Sequence, residues 1–231
     1  MFRLPTKDDL GYVLDATVRI DDAIGGSIQM ATGPADSLRI IESRGLTPEY
    51  FERYLVLGTT AGTSCVQSWL ERRRIVVRDV LSDTTFEPHR AAAKKAGYRA
   101  VQSTPLVDSE FRTVGILSTY FAHPHHPEPK SLGAIDRYCR LAALIIEVVG
   151  WHELIADADR RLSIPARALP GPVADAAAAA RRVLPLLERP NHDGAVRTAT
   201  EHLEAVARHL RAMMHQTRGY AASRPHLMSS L

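Results

Sequence analysis

One helix in this sequence has two faces to bury. From Pro129 onward apolar residues recur at helical spacing, and they fall on two stripes. Ile135, Tyr138, Ala142, Ile145 and Val149 make the first. Leu141, Leu144, Val148, Trp151, Ile155, Ala158 and Leu162 make the second, in alternating steps of three and four, the spacing of a coiled-coil seam. A helix with two apolar stripes needs two partners. Its own domain supplies one, and the expected second is the same helix of another subunit, in a parallel dimer closed by Leu141, Leu144, Val148, Trp151, Ile155 and Leu162.

The seam continues through Ala166, Leu169, Val173, Ala176, Ala180, Val183 and Leu187, with an extra four-residue step around Pro165 that would locally unwind a coiled coil. A further helix is expected after the polar run PNHDG, with Asp193 as its N-cap. It carries Val196, Ala199, Leu203, Val206, Leu210, Met213 and Thr217 in the same spacing. Two such helices predict an antiparallel hairpin, and two hairpins predict a dimeric four-helix bundle that also uses Leu203, Val206 and Leu210.

Before Pro129 the period alternates between helix and strand. A helix over 5–23 is followed by two β-type runs, GSIQMA and SLRIIES, separated by the turn-forming TGPAD. Thr47-Pro48-Glu49 signals a helix over 47–57, with Thr47 as N-cap and proline at the first helical position. A helix CVQSWLERRR, a strand IVVRDV, a helix over 88–97 closed by glycine and a hairpin of AVQSTPLVD with TVGILSTYF complete this part.

Composition narrows the class. With 231 residues and 45% hydrophobic content the chain can bury a sizeable core. The longest apolar run, LAALII at Leu141–Ile146, is too short to span a bilayer, so a soluble, cytosolic protein is expected, without a membrane partner. Cys65 and Cys139 form neither a disulfide framework nor a zinc-site spacing. The formal charge of +3 is uneven, since eleven arginines face six acidic residues from Ala158 onward. Those arginines have no interleaved aromatics, so they read as solvated helix faces and nucleic acid is not an expected partner.

The runs GGSIQMA, ESRGLTPEYFERY, AGTSCVQSW, IVVRDVLSDTTFEPHRAAAKKAGYRAVQSTPLVD and VGILSTYF, in this order, resemble a GAF domain over Asp9–Glu153. The resemblance implies an α+β fold, with an antiparallel sheet flanked by helices and a small-molecule pocket between sheet and connecting helices. The expected pocket residues are Gln29, Cys65, Phe86, His89, Tyr98, Gln102 and Ser118. Cys65 follows Ser64 at a helix N-terminus, where the macrodipole favours a thiolate, but no histidine adjoins it in sequence. The several cysteines of GAF-type sulfoxide reductases, the Cys-His of bilin-binding relatives and the cyclic-nucleotide signature are all missing. His123, His125 and His126 crowd into AHPHHPEP, yet prolines there impose an extended connection, and no metal site and no cofactor are expected.

The segment from ADRRLSIP to AVARHL resembles the dimerisation hairpin of sensor histidine kinases. In an ungapped comparison the phosphoacceptor position falls on Gly171, and the histidine box reads Gly-Pro-Val-Ala-Asp-Ala. The resemblance therefore implies a degenerate hairpin without a nucleophile, and no ATP-binding domain is expected after it. The expected organisation is a sensor domain over 1–153, a dimerising hairpin over 154–221 and a disordered tail over 222–231. The expected function is a non-enzymatic, homodimeric signalling adaptor that binds a small molecule and engages a histidine kinase or response regulator. A thiol redox enzyme using Cys65 and a transcriptional regulator with a basic tail are the alternatives.

Overall fold

The structure is a computed structural model and describes residues 5–32, 37–161, 169–188 and 193–222. The chain divides into two compact units, and the division falls inside a helix, between Ala143 and Leu144.

In the first unit a short 3-10 turn leads into α1 (Leu10–Ile20), then β1 (Gly25–Thr32) and β2 (Ser37–Arg44). Helix α2 (Pro48–Arg53) starts where the Thr-Pro signal places it, with Thr47 Oγ1 accepting from the Tyr50 backbone N–H at 3.3 Å. It is shorter than expected, because Val56–Gly58 leaves the helix to pair with Ser37–Arg39 as β3. Then follow α3 (Ser64–Glu71), β4 (Ile75–Val77), a 3-10 turn running into α4 (Arg90–Ala96), β5 (Ala100–Val107) and β6 (Thr113–Phe121). Gly97 ends α4 at φ +82°, a left-handed conformation that glycine adopts without steric cost.

The six strands form one antiparallel sheet in the order β3-β2-β1-β6-β5-β4. Side chains alternate across it, so register assigns each residue to a face. Gln29, Val101, Ser103, Ile116, Ser118 and Tyr120 share one face, under α2, α3 and α4. Gly26, Gln102, Thr104, Leu117 and Thr119 share the other. Helix α1 lies so close to that second face that a Cβ on Gly26 would stand 2.8 Å from Leu14 Cδ1.

Helix α5 (Pro129–Arg161) belongs to both units, and its apolar residues are buried on every side from Tyr138 to Val149. The second unit adds α6 (Gly171–Val183) with a 3-10 turn to Glu188, and α7 (Asp193–Ala222) packed against it. Asp193 is the first residue of α7.

The seam expected to close a dimer is already covered in one chain. Leu141, Leu144, Val148, Trp151, Ile155, Leu203, Val206 and Leu210 are all buried in a single copy, none more than 9% exposed. The reasoning that two copies must clasp each other therefore fails: the apolar rows are satisfied within one polypeptide. Part of the reason lies at Glu147, which sits among the seam residues but carries a charge. Its buried carboxylate accepts from Arg211 of α7 at 2.5 Å and from Trp151 Nε1 at 3.4 Å, so α7 folds back against the second half of α5. The buried row of α6 is also displaced from the expected one. Ala174, Ala177, Ala180, Leu184 and Leu187 are covered, while Val173, Ala176 and Val183 are only partly so. In an alanine-rich helix the larger Leu184 and Leu187 set which way the helix turns, and the alanines follow. Leu162, the irregular step at Pro165 and the tail after Ala222 lie outside the described residues.

Removing one partner of a buried ion pair leaves an uncompensated charge, which costs about 3–5 kcal/mol, whereas replacing both partners with apolar groups is often neutral. R211M is therefore expected to destabilise the helical unit by about that much, and R211M/E147L to recover most of the loss. Urea melts of the three proteins check this.

Candidate functional site

Beneath α2, α3 and α4 the first unit encloses a cavity lined by Gln29, Tyr50, Tyr54, Cys65, Phe86, His89, Tyr98, Ser118 and Tyr120, with Leu57, Thr63, Ser64 and Val101 completing the wall. Six of the seven expected pocket residues meet here. Gln102 does not, because it neighbours Val101 and Ser103 on β5 and so points to the opposite face. The residues missing from the expectation are mainly tyrosines. Tyr50 on α2 and Tyr54, which caps its C-terminus, stand one turn apart, an i, i+4 pair that places both rings over the sheet, and that spacing was readable in PEYFERY. Tyr120 reaches the cavity only through its register against Val101.

Five aromatic rings fill most of the space. Tyr50 meets Tyr98 edge-on at 5.6 Å and Tyr120 at 5.8 Å between centroids, and Tyr98 lies 5.1 Å from Tyr120. Their hydroxyls find partners in the wall: Tyr50 with Tyr98 at 2.8 Å and Tyr120 with Ser27 at 3.1 Å. Burial pushes all three phenols far above their ordinary range, so they stay protonated. What remains is about 20 Å³, room for one water molecule.

His89 is tied at both nitrogens. Nε2 lies 2.9 Å from the Ala61 carbonyl, which can only accept, so Nε2 carries the proton and Nδ1 receives the Tyr54 hydroxyl at 3.2 Å. A serine relay runs below, from Ser64 to Ser103 at 3.0 Å and on to Ser118 at 2.9 Å. The Gln29 carbonyl oxygen is buried without a partner, the one open acceptor on this wall among the described residues. No lysine, arginine, aspartate or glutamate lines the cavity.

Cys65 is the second residue of α3, as the sequence implied, but it is buried and 3.0 Å from Thr63 Oγ1. Burial pushes its thiol up, and the hydrogen bonds from Thr63 and Gln29 only partly oppose this. A buried thiol held protonated, in a cavity whose one histidine has both nitrogens engaged, is not an activated nucleophile. Cys139, on α5, is likewise buried and pushed up to about 12 by burial.

Gln102 belongs to a second polar patch. Its register partner Thr119 donates to Asp21 at 2.8 Å, while the other Asp21 oxygen and both ends of the Gln102 amide are buried without partners. Burial raises the Asp21 carboxyl above its usual range, against the weaker pull of Thr119, His125 and Arg74. His125, from the histidine-rich loop, stacks on Phe121 at 3.6 Å, and its backbone N–H donates to the Arg78 carbonyl. Its neighbours His123 and His126 are exposed, and among the described residues no cluster of three or more metal-ligating side chains forms. Gly171 opens α6 in an exposed position.

An antiparallel sheet with helices over both faces and an internal, uncharged, aromatic cavity between sheet and connecting helices defines an α+β domain class. Residues 7–147 match the GAF domain family, and the chain belongs to that family. No curated protein matches it. Among solved structures it is similar to the GAF domain of a phosphoenolpyruvate-protein phosphotransferase from Acinetobacter, at 14% identity and TM-score 0.52, covering 64% of this chain and 84% of that one. It is also similar to a GAF domain/HD domain protein from Geobacter sulfurreducens, at 15% identity and TM-score 0.51, over 64% and 94% of the two chains. A segment of a methyl-accepting chemotaxis protein matches at 15% identity and TM-score 0.50, over 62% and 89%. At these identities the likeness is one of fold. No helix among the described residues is long and apolar enough to cross a membrane.

Two outcomes follow from the burial of these groups. In the native protein at neutral pH both cysteines are expected to react with iodoacetamide at a small fraction of the rate seen in urea, and mass spectrometry of the quenched reaction measures it. At Asp21 the folded state binds its proton more tightly than the unfolded state, so its contribution to stability falls as pH rises through the raised pKa. D21N is therefore expected to be more stable than wild type at pH 7, and the gap to narrow as pH falls towards the carboxylate range, as read from denaturant melts.

Proposed function

We propose that the chain is a non-catalytic sensor module in which a small uncharged ligand opens the tyrosine-filled cavity, and helix α5 carries the change into the helical hairpin. The observation that carries this reading is α5 itself. It is one uninterrupted helix from Pro129 to Arg161, with Tyr138 and Leu141 in the sensor unit and Leu144 to Ile155 in the helical unit. A rigid element shared by two units is the kind of part whose position both can bias.

The cavity sets the ligand's chemistry. With no cation on its wall it disfavours phosphates and other anions, and its open Gln29 acceptor asks for an N–H or O–H donor. Entry requires Tyr50 and Tyr54 to move, and both ride on or beside the six-residue helix α2. The hairpin then serves as the output surface for a signalling partner, a histidine kinase or a response regulator. On this reading the protein performs no chemistry of its own, in keeping with the protonated Cys65.

Tyr50→Ala tests the coupling without knowledge of the natural ligand. It should cost about 3 kcal/mol and leave an apolar space that indole can fill. Indole is then expected to raise the melting temperature of Y50A, and hydrogen exchange should slow both around the cavity and in residues 144–155 and 196–214. Slowing confined to residues 8–143 would mean that the helix transmits nothing.

A further inference from the structure

The sheet face opposite the cavity holds two buried polar atoms that face unmet demands of opposite kind. Asp21 caps the C-terminal end of α1 and is 7% exposed. One of its oxygens accepts from Thr119, and the other, Oδ1, is buried without a partner. A carboxylate at that end of a helix meets the negative pole of the helix dipole, so it is unfavourable there unless a positive charge stands near it. His125 comes from the loop that joins β6 to α5. Its ring lies flat on Phe121, 3.6 Å between centroids and 5° from parallel, and its backbone N–H donates to the Arg78 carbonyl at 2.9 Å. Its Nε2 is buried, again without a partner. Asp21 and His125 each feel the other's charge, so a single proton between them can satisfy both atoms.

The surrounding groups leave this role to His125. Arg74, between α3 and β4, also draws on Asp21, but it is engaged with Asp136 of α5 and with Thr104 at 3.0 Å. On α5 Tyr138 is buried, and Cys139 stays protonated because burial pushes its thiol up to about 12. His126 is exposed, and its charge opposes one on His125. The Gln102 amide is neutral. Removal from water moves Asp21 above the usual carboxylate range and His125 below the usual imidazole range. The two groups therefore titrate closer together than they would in water, and they act as a pair.

We propose that Asp21 and His125 form a proton-operated clasp: at mildly acidic pH one solvent proton, shared between Asp21 Oδ1 and His125 Nε2, fastens the loop before α5 to the end of α1, and at higher pH the clasp opens. Residues 122–128 lead directly into the first turn of α5, so the clasp sets how firmly the entrance to that helix is held. In the open form the His125 side chain rests on Phe121 alone. The clasp lies across the sheet from the tyrosine cavity and does not depend on the ligand reading.

A double-mutant cycle of the full chain tests it, with D21N, which keeps the shape of the carboxylate, and H125F, which keeps the stack on Phe121 but not the nitrogen. Denaturant melts are run at about pH 5.5 and about pH 7.5, on either side of the ordinary imidazole range. At the lower pH the coupling between the two sites is expected to change the folding equilibrium by about tenfold or more, the size of a charge-assisted hydrogen bond, and at the higher pH by less than about threefold. In NMR titrations the His125 ring should lose its proton at lower pH in D21N than in wild type, because the carboxylate that favours its charged form is gone. Hydrogen exchange of residues 122–132, corrected for intrinsic rates, should be slower at the lower pH in wild type and not in either variant. A His125 titration unmoved by D21N overturns the proposal, as does loop exchange that ignores pH. Coupling of equal size at both pH values would make the contact a fixed part of the fold, and overturns it as well.

Discussion

Everything in this protein is arranged around the need to keep helix α5 out of water. From Tyr138 to Val149 its side chains are apolar on every side, apart from Arg140, Glu147 and the small residues between, and burial of such a surface is the largest favourable term available to a chain of this size. The first half of the helix meets this need within the sensor unit, where Arg74 pairs with Asp136 and donates to Thr104, and Arg140 donates to the Val107 carbonyl. The second half meets it within the helical unit. There the Glu147 carboxylate would be costly if unpaired, and Arg211 arrives from α7 to neutralise it.

That ion pair bears on which helix covers the seam within the chain. Without it, the three-four spacing of Leu144, Val148, Trp151 and Ile155 is equally compatible with a partner helix from the same chain or from another, because an apolar stripe carries no information about who covers it. A charge within the stripe does carry such information. It needs an opposite charge at one height along the facing helix, and α7 presents Arg211 there. The closed seam leaves the hairpin turn at Phe111, rather than the helices, as the most conspicuous uncovered apolar feature of the described surface.

The cavity shows how an aromatic cluster can be both wall and plug. Tyr50, Tyr98 and Tyr120 pack edge to face in the volume that a ligand would take, and their hydroxyls are satisfied internally, so the closed form is stable without an occupant. The same enclosure keeps the Cys65 thiol protonated. The helix dipole favours its thiolate, but removal from water disfavours a charge by more, and burial wins. The two sheet faces divide the polar residues of β5 between two environments. Ser103 joins the relay under α3, and Gln102, one residue earlier, is left with unmet hydrogen bonds on the far side.

Elements with strong local signals were legible in the sequence. Alternation and turn composition located β1, β2, β5 and β6, the Thr-Pro pair located the start of α2, and the ordered runs from GGSIQMA to VGILSTYF carried the family. The three-residue strand β3 was not legible, since it is too short for alternation and exists only because β2 pairs with it. Six of the residues singled out in the sequence line the cavity, Tyr50 and Tyr54 were not among those singled out, and Gln102 was placed on the wrong side because strand register was not available. Which residues are apolar, and at what period, is a property of the chain. Which other element covers them, whether a cysteine keeps its proton, and which phenylalanine is left in water depend on distances between residues far apart in sequence, and those come into being only when the chain has folded.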